Sequence, residues 1–164
     1  MMQEFTIPGR LMGRNEQEYA ARSHWSKAAE AKKSEQERVI WAMKQAGIRP
    51  VDRPVELAFD FYEKKQKNGS LRDHDNVRSG AVKVVQDAMK EMGIIRDDNP
   101  RMVRNSYAWF AYNQPDPRVV VKIFDYDPNG RTVRYPPIEG LGPRADAREE
   151  FLEKCDLMGI DEDG

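Results

Sequence analysis

The sequence predicts an α+β fold, a single domain with a small, largely antiparallel or mixed sheet and helices packed on it. Three observations lead there. The chain has 164 residues, 39% of them hydrophobic, which suits one domain of ordinary size with one core. Apolar residues follow a helical period in some stretches and strict alternation in others. Breaks containing proline or glycine separate those stretches, and no internal repeat is visible.

The elements follow in order. Glu4-Phe5-Thr6-Ile7 reads as a short strand stopped by Pro8-Gly9. Residues 16–47 contain no proline, and no glycine before Gly47, and are rich in Ala, Glu, Lys and Gln. Apolar positions at Tyr19, Trp25, Ala28, Ala29, Val39, Ile40 and Met43 suit a helix,. Ser34-Glu35-Gln36-Glu37 reads as a capping box and predicts a break near Ser34; Gly47 predicts the stop. In Val55–Tyr62 the odd positions are all apolar, as in a half-buried strand,. Residues 64–70 form a basic, polar loop.

A second helix is predicted to end at Met92-Gly93, with Val82, Val85, Met89 and Met92 on one stripe,. Residues 103–112 and 118–125 read as two more strands, joined by a turn of hairpin length at 113–117, with Val119, Val121 and Ile123 on one face,. Residues 128–143 are rich in proline and glycine, and 144–158 read as a last helix with a frayed end,. The organisation expected is a domain over 1–143 followed by an acidic helix and tail over 144–164. That tail holds eight acidic residues against three basic ones, so the remainder of a chain of formal net charge -1 is mildly basic. Such a balance permits a nucleic-acid partner without requiring one.

Several classes are excluded at this level. No apolar run approaches the roughly 18 residues of a spanning helix. The opening residues lack the basic start and apolar stretch of a secretory signal. Cys155 is the sole cysteine, which rules out an intrachain disulfide and a cysteine-built zinc site. A reducing compartment, the cytoplasm, is expected.

The chemistry is concentrated in Arg72-Asp73-His74-Asp75-Asn76 and Arg96-Asp97-Asp98-Asn99. In an extended backbone Asp73 and Asp75 point to one side and His74 to the other. Paired carboxylates repel unless a cation, a proton or a basic group lies between them. Mg2+, which takes one or two carboxylates with waters, is the matching cation. Asn76 can cap the following helix, and a return of the chain after that helix brings Asp97 or Asp98 towards the pair. The same residues also suit plain turn and cap chemistry.

The run from Arg72 to Asp98 resembles the RusA family of Holliday-junction resolvases, the crossover-junction endodeoxyribonucleases of bacteria and their phages. The family block of Asp-x-Asp-Asn, a helix lysine, a helix aspartate, a glycine stop and an Asp-Asp pair corresponds to Asp73-His74-Asp75-Asn76, Lys83, Asp87, Gly93 and Asp97-Asp98. Phe5–Arg10 with Asn15, Pro54–Leu57 and Pro117–Val121 look like the family's flanking strands and loop, so that the likeness spans about residues 3–125. The resemblance implies a RusA-like fold and Mg2+-dependent hydrolysis of four-way (branched) DNA in recombination and repair, by a homodimer with no membrane association. It implies Asp73, Asp75 and Asp98 as metal ligands and catalytic acids, and Lys83 as a catalytic lysine. Lys64, Lys65, Lys67, Arg72 and Arg78 are expected to contact DNA phosphates. The gap from Asp75 to Lys83 is about four residues longer than the family pattern. A longer loop at Val77–Ser79, with Gly80 near the helix start, is the expected accommodation, because a mid-helix glycine costs about 1 kcal/mol. Arg78 is the substitute if Lys83 has moved. The alternatives are a non-catalytic DNA-binding phage accessory protein and another metal-dependent nuclease that selects by structure.

Other features read more plainly. Asp125–Gly130 imitates an EF-hand start, but Pro136 stands where the bidentate Glu belongs,. Tyr107, Trp109, Phe110 and Tyr112 are expected in the core or at a dimer contact rather than stacked on bases. Lys32 and Lys33 are expected on a solvated face, Asp87 in a structural ion pair, and Cys155 inert.

Overall fold

The chain order is β1 (Met2–Pro8), α1 (Arg14–Ser23), α2 (Trp25–Gln45), β2 (Val55–Tyr62), α3 (His74–Glu91), β3 (Val103–Ala111) and β4 (Arg118–Asp125). This is the arrangement in a computed structural model, which describes residues 2–65, 67–112 and 114–129. The predicted helix at 144–158, the acidic tail and Cys155 lie outside the described residues.

The four strands form one mixed sheet in the order β1-β4-β2-β3. β1 and β2 both pair antiparallel with β4, and β2 pairs parallel with β3. Alternation decides which side chains face the helices. Phe5 and Ile7, Leu57, Phe59 and Phe61, and Val119, Val121 and Ile123 lie in one buried cluster with Val39 and Met43 of α2 and Val77, Val84, Val85 and Met89 of α3. The central strand β2 is buried along its whole length. On its other side, the Asp60 carboxylate accepts from Lys122 at 2.7 Å.

The α+β class, the strand positions and the shared face of β4 agree with expectation. β2, expected half-buried, is instead buried on both faces because it is a central strand, and two further details differ. The long helix breaks at His24, which is extended at φ -155, ψ 98, and not at Ser34. Ser34 lies inside α2, and Glu35 turns inward, where Oε1 accepts the Met12 N–H at 2.6 Å. Strands β3 and β4 are not a hairpin, because β2 lies between them. α3 carries the chain back so that β3 runs parallel to β2, and β4 then enters the gap between β1 and β2.

Both longer helices end alike. Gly47 and Gly93 have φ of 63° and 68°, and the following Ile48 and Ile94 donate to the carbonyls of Met43 and Met89 at 3.0 and 2.8 Å. This is a Schellman stop, which requires a left-handed residue that glycine adopts without steric cost.

Candidate active site at the two ends of helix α3

The connection from β2 to α3 is closed by a buried ion pair. Arg72 donates to Glu63 through Nη2 at 2.7 Å and Nε at 3.0 Å, with both side chains 4% exposed. Arg72 also donates to the Leu11 carbonyl at 2.6 Å and to Glu16 at 3.2 Å. Burial opposes charge on the guanidinium, but the hydrogen bond and charge of Glu63 outweigh it, so its pKa is raised. The expectation that Arg72 contacts DNA phosphate is thereby corrected: the side chain fixes the start of α3 from inside the protein. Its place in the sequence beside the acidic block suggested a phosphate contact, whereas its partner Glu63 lies nine residues earlier.

Asp73 is the N-cap of α3, its carboxylate accepting the Asn76 N–H at 3.2 Å. Only Asp73 is extended, at φ -64, ψ 133. His74 and Asp75 already belong to the helix, so the two carboxylates do not share the side of an extended segment as expected. Both are exposed, and neither enters an ion pair among the described residues. The N–H groups and positive dipole end of a helix stabilise acids in this position. Asn76 is not the cap of its own helix. Its Oδ1 accepts the Asn15 N–H at 2.7 Å and so caps α1, whose N-cap residue Gly13 makes no side-chain cap.

The expected loop at Val77–Ser79 is also corrected, because α3 runs unbroken from His74 to Glu91. Gly80 is tolerated in mid-helix for a packing reason: a Cβ there would collide with the Met12 carbonyl oxygen and the Gly13 backbone. The loop before α1 lies directly on α3. Lys83 therefore stands eight residues beyond Asp75, about 12 Å along the axis at 1.5 Å per residue.

At that other end the charges are compensated. Lys83 Nζ lies 2.9 Å from Asp87 and 3.3 Å from Asp98, and Lys90 Nζ lies 3.0 Å from Asp98 and 3.6 Å from Asp87. Lys32 of α2 approaches Asp87 at 3.6 Å, so Asp87 has the structural pairing expected of it. The hydrogen bond from Lys90, aided by Lys83, pulls the Asp98 pKa down to about 2. The hydrogen bond to Asp87, with Asp98 adding to it, raises that of Lys83. Asp97 turns inward on its own loop, accepting from the Asp98 N–H at 2.8 Å and from Asn99 Nδ2 at 2.6 Å.

Asp98, held between Lys83 and Lys90, is level with the second half of α3, on the order of 10 Å or more along the axis from Asp75. Among the described residues no group of three or more His, Cys, Asp or Glu is placed to hold a metal ion. Asp73, Asp75 and Asp98 of one chain therefore do not fit the three-carboxylate Mg2+ site implied by the resemblance.

The remaining basic residues are accessible. Lys64, Lys65 and Lys67 are exposed and outside ion pairs among the described residues. Arg78 is exposed and donates to the Ser106 carbonyl at 2.8 Å. The sequence reading missed the setting of His74. Its ring stacks on Phe110 at 4.0 Å and lies 5.5 Å from Tyr112. Burial, then the charges of Glu63 and Asp73, raise the pKa of Tyr112, which puts that phenol in the field of the site. The alternation of Phe110 and Tyr112 was the available signal.

The described residues include no helix long and apolar enough to cross a membrane. No curated protein matches the sequence. The family model for endodeoxyribonuclease RusA matches residues 8–124, which includes α3 entire, strands β2 and β3, β4 up to Phe124 and only Pro8 of β1. The chain belongs to the RusA endodeoxyribonuclease family.

Proposed function

We propose that this protein is a Mg2+-dependent endodeoxyribonuclease that resolves four-way DNA junctions in recombination and repair, acting as a homodimer. The observation that carries this reading is the pair of exposed, uncompensated acids at the start of α3 within a chain that matches a nuclease family across its fold.

One chain alone does not bring its three acids together, and the homodimer supplies the remedy. Two copies related by a two-fold axis across the outer face of α3 would set the N-terminal end of one helix against the C-terminal end of the other. Val82 and Gln86 on that face are only partly buried, beside the exposed Arg78, Ser79 and Lys83. Asp73 and Asp75 of one copy would then be completed by Asp98 of the second. These carboxylates would hold Mg2+, which when bound would supply Lewis acidity towards a phosphate oxygen. The residues of the chain position the strand: Lys64, Lys65 and Lys67 are exposed for phosphate contacts, which fix register without reading sequence. Lys83 is kept protonated by Asp87 and Asp98 and supplies positive charge where the phosphate gains negative charge. Arg78 flanks it on the same face.

The separation of Asp98 from Asp75 favours a second reading, a family member that binds branched DNA without cutting it. Incubating purified protein with a synthetic four-way junction and Mg2+ tests both. The proposal expects paired incisions by the wild type and none by Asp75→Asn, with junction binding retained. A wild type that binds but never incises supports the second reading.

A further inference from the structure

The rings around the site form a continuous ladder. Phe59 and Phe61 lie 6.0 Å apart with planes 11° from parallel, Phe61 and Phe110 4.7 Å and 16°, and Phe110 and His74 4.0 Å and 13°. The first two are fully buried and the last is exposed. The ladder thus rises from the core to the surface and ends in the imidazole between Asp73 and Asp75. Tyr112 lies alongside at 5.5 Å, its plane 11° from that of His74. Packing beneath holds the imidazole flat, with one face on Phe110.

We infer that His74 is the stacking platform for an unstacked nucleobase adjoining the phosphate that is cut. The inference rests on the nuclease reading given above and adds a recognition element to it. A phosphate held at Asp73 and Asp75 carries its own base within a nucleotide of the imidazole. In continuous duplex both faces of that base are covered by its neighbours. At a branch point a face is open, and an aromatic ring accepts any base because each has a π-face. The phosphates need not contribute to this choice, since duplex and junction share them. A rigid ring at the start of α3 therefore favours branched over continuous DNA without reading sequence.

The experiment uses full-length protein with Ca2+ in place of Mg2+, so that binding is read without turnover. The probe is a four-way junction carrying 2-aminopurine beside the phosphate that the wild type incises, with a matched duplex as reference. The wild type should quench the fluorophore and prefer the junction. His74→Ala should lose the quenching and about 10- to 100-fold of the preference for the junction over the duplex, while His74→Phe should retain both. The inference is overturned if His74→Ala quenches like the wild type. It is equally overturned if His74→Phe is as defective as His74→Ala, for then the ring nitrogens rather than the ring face are at work. A wild type that neither binds nor cuts the junction sinks the nuclease reading itself, whereas a cutting wild type with an unaffected His74→Ala sinks the platform alone.

Discussion

At the N-terminal end of α3, Asp73 and Asp75 are exposed and outside any ion pair among the described residues, whereas near the other end Asp98 lies between Lys83 and Lys90. The residue type is the same and the electrostatic situation is opposite. In the first pair Asp73 accepts one backbone N–H and both acids lie at the positive end of the helix dipole, a modest effect of roughly 0.3–1 kcal/mol per charge at a surface,. The pair retains its attraction for a cation. The second carboxylate already has its countercharges, and its pKa of about 2 records them. Acids without countercharge and an acid that must exchange its lysine partners to join a metal are thus distinguished by the end of α3 beside which each lies.

The largest expected effect comes from removing charge at the open end. Asp75→Asn should lower junction incision by roughly 100-fold or more, since a metal's electrostatic stabilisation is worth several kcal/mol. Circular dichroism and junction binding should be unchanged, because the substitution removes an exposed carboxylate that caps nothing. Survival of incision would transfer catalysis to some other acid and dissolve the comparison.

Arg72 comes next, as the residue that anchors the open end. Arg72→Ala leaves Glu63 charged and buried, and the loss of one partner from a buried pair costs about 3–5 kcal/mol. Urea unfolding should show a midpoint lowered accordingly. Arg72→Lys should recover only part of it, because an ammonium does not reproduce the two-pronged contact. A surface phosphate ligand, the role first expected of Arg72, would instead leave the midpoint unmoved and change the salt dependence of DNA binding.

The smallest effect on stability belongs to the compensated end. Asp98 has a folded pKa of about 2, below its unfolded value of about 3.9. Its contribution to stability is therefore present above about pH 4 and lost as pH falls through 2. Lys83 is more than half exposed, so solvent screening limits the contribution to about 1 kcal/mol or less. The stability difference between wild type and Asp98→Asn should be constant above pH 4, shrink towards pH 2, and narrow in high salt. A difference that grew on acidification would contradict the assigned ion pairs.

The sequence made the scaffold more legible than the site. Apolar residues at alternate positions of β2 and β4 announced the buried face, and glycine after a helical stripe announced the stops at Gly47 and Gly93. These signals are local. The turn of β3 to the far side of β2 is set by where α3 deposits the chain, which no hairpin-length spacer reveals. The break at His24 carries no glycine or proline to mark it. Asp73 and Asp75 were singled out by residue type and spacing and Asp98 by the family resemblance, but their separation along α3 depends on Gly80 being packed against Met12 and Gly13, a contact between segments some seventy residues apart. Arg72 was misread for the same reason: its partners Glu63, Leu11 and Glu16 come from three different segments.

The central claim is that the acids from opposite ends of α3 act together across two copies of the chain. Counting incisions made in a four-way junction by Asp75→Asn and Asp98→Asn, each alone and after the two are co-refolded together, tests it most directly. The account predicts two inactive homodimers and a mixed dimer that regains single-strand incision, because one of its two sites then contains no substituted acid. Inactive single variants whose mixture stays inactive, or Asp98→Asn incising at the wild-type rate, would contradict it.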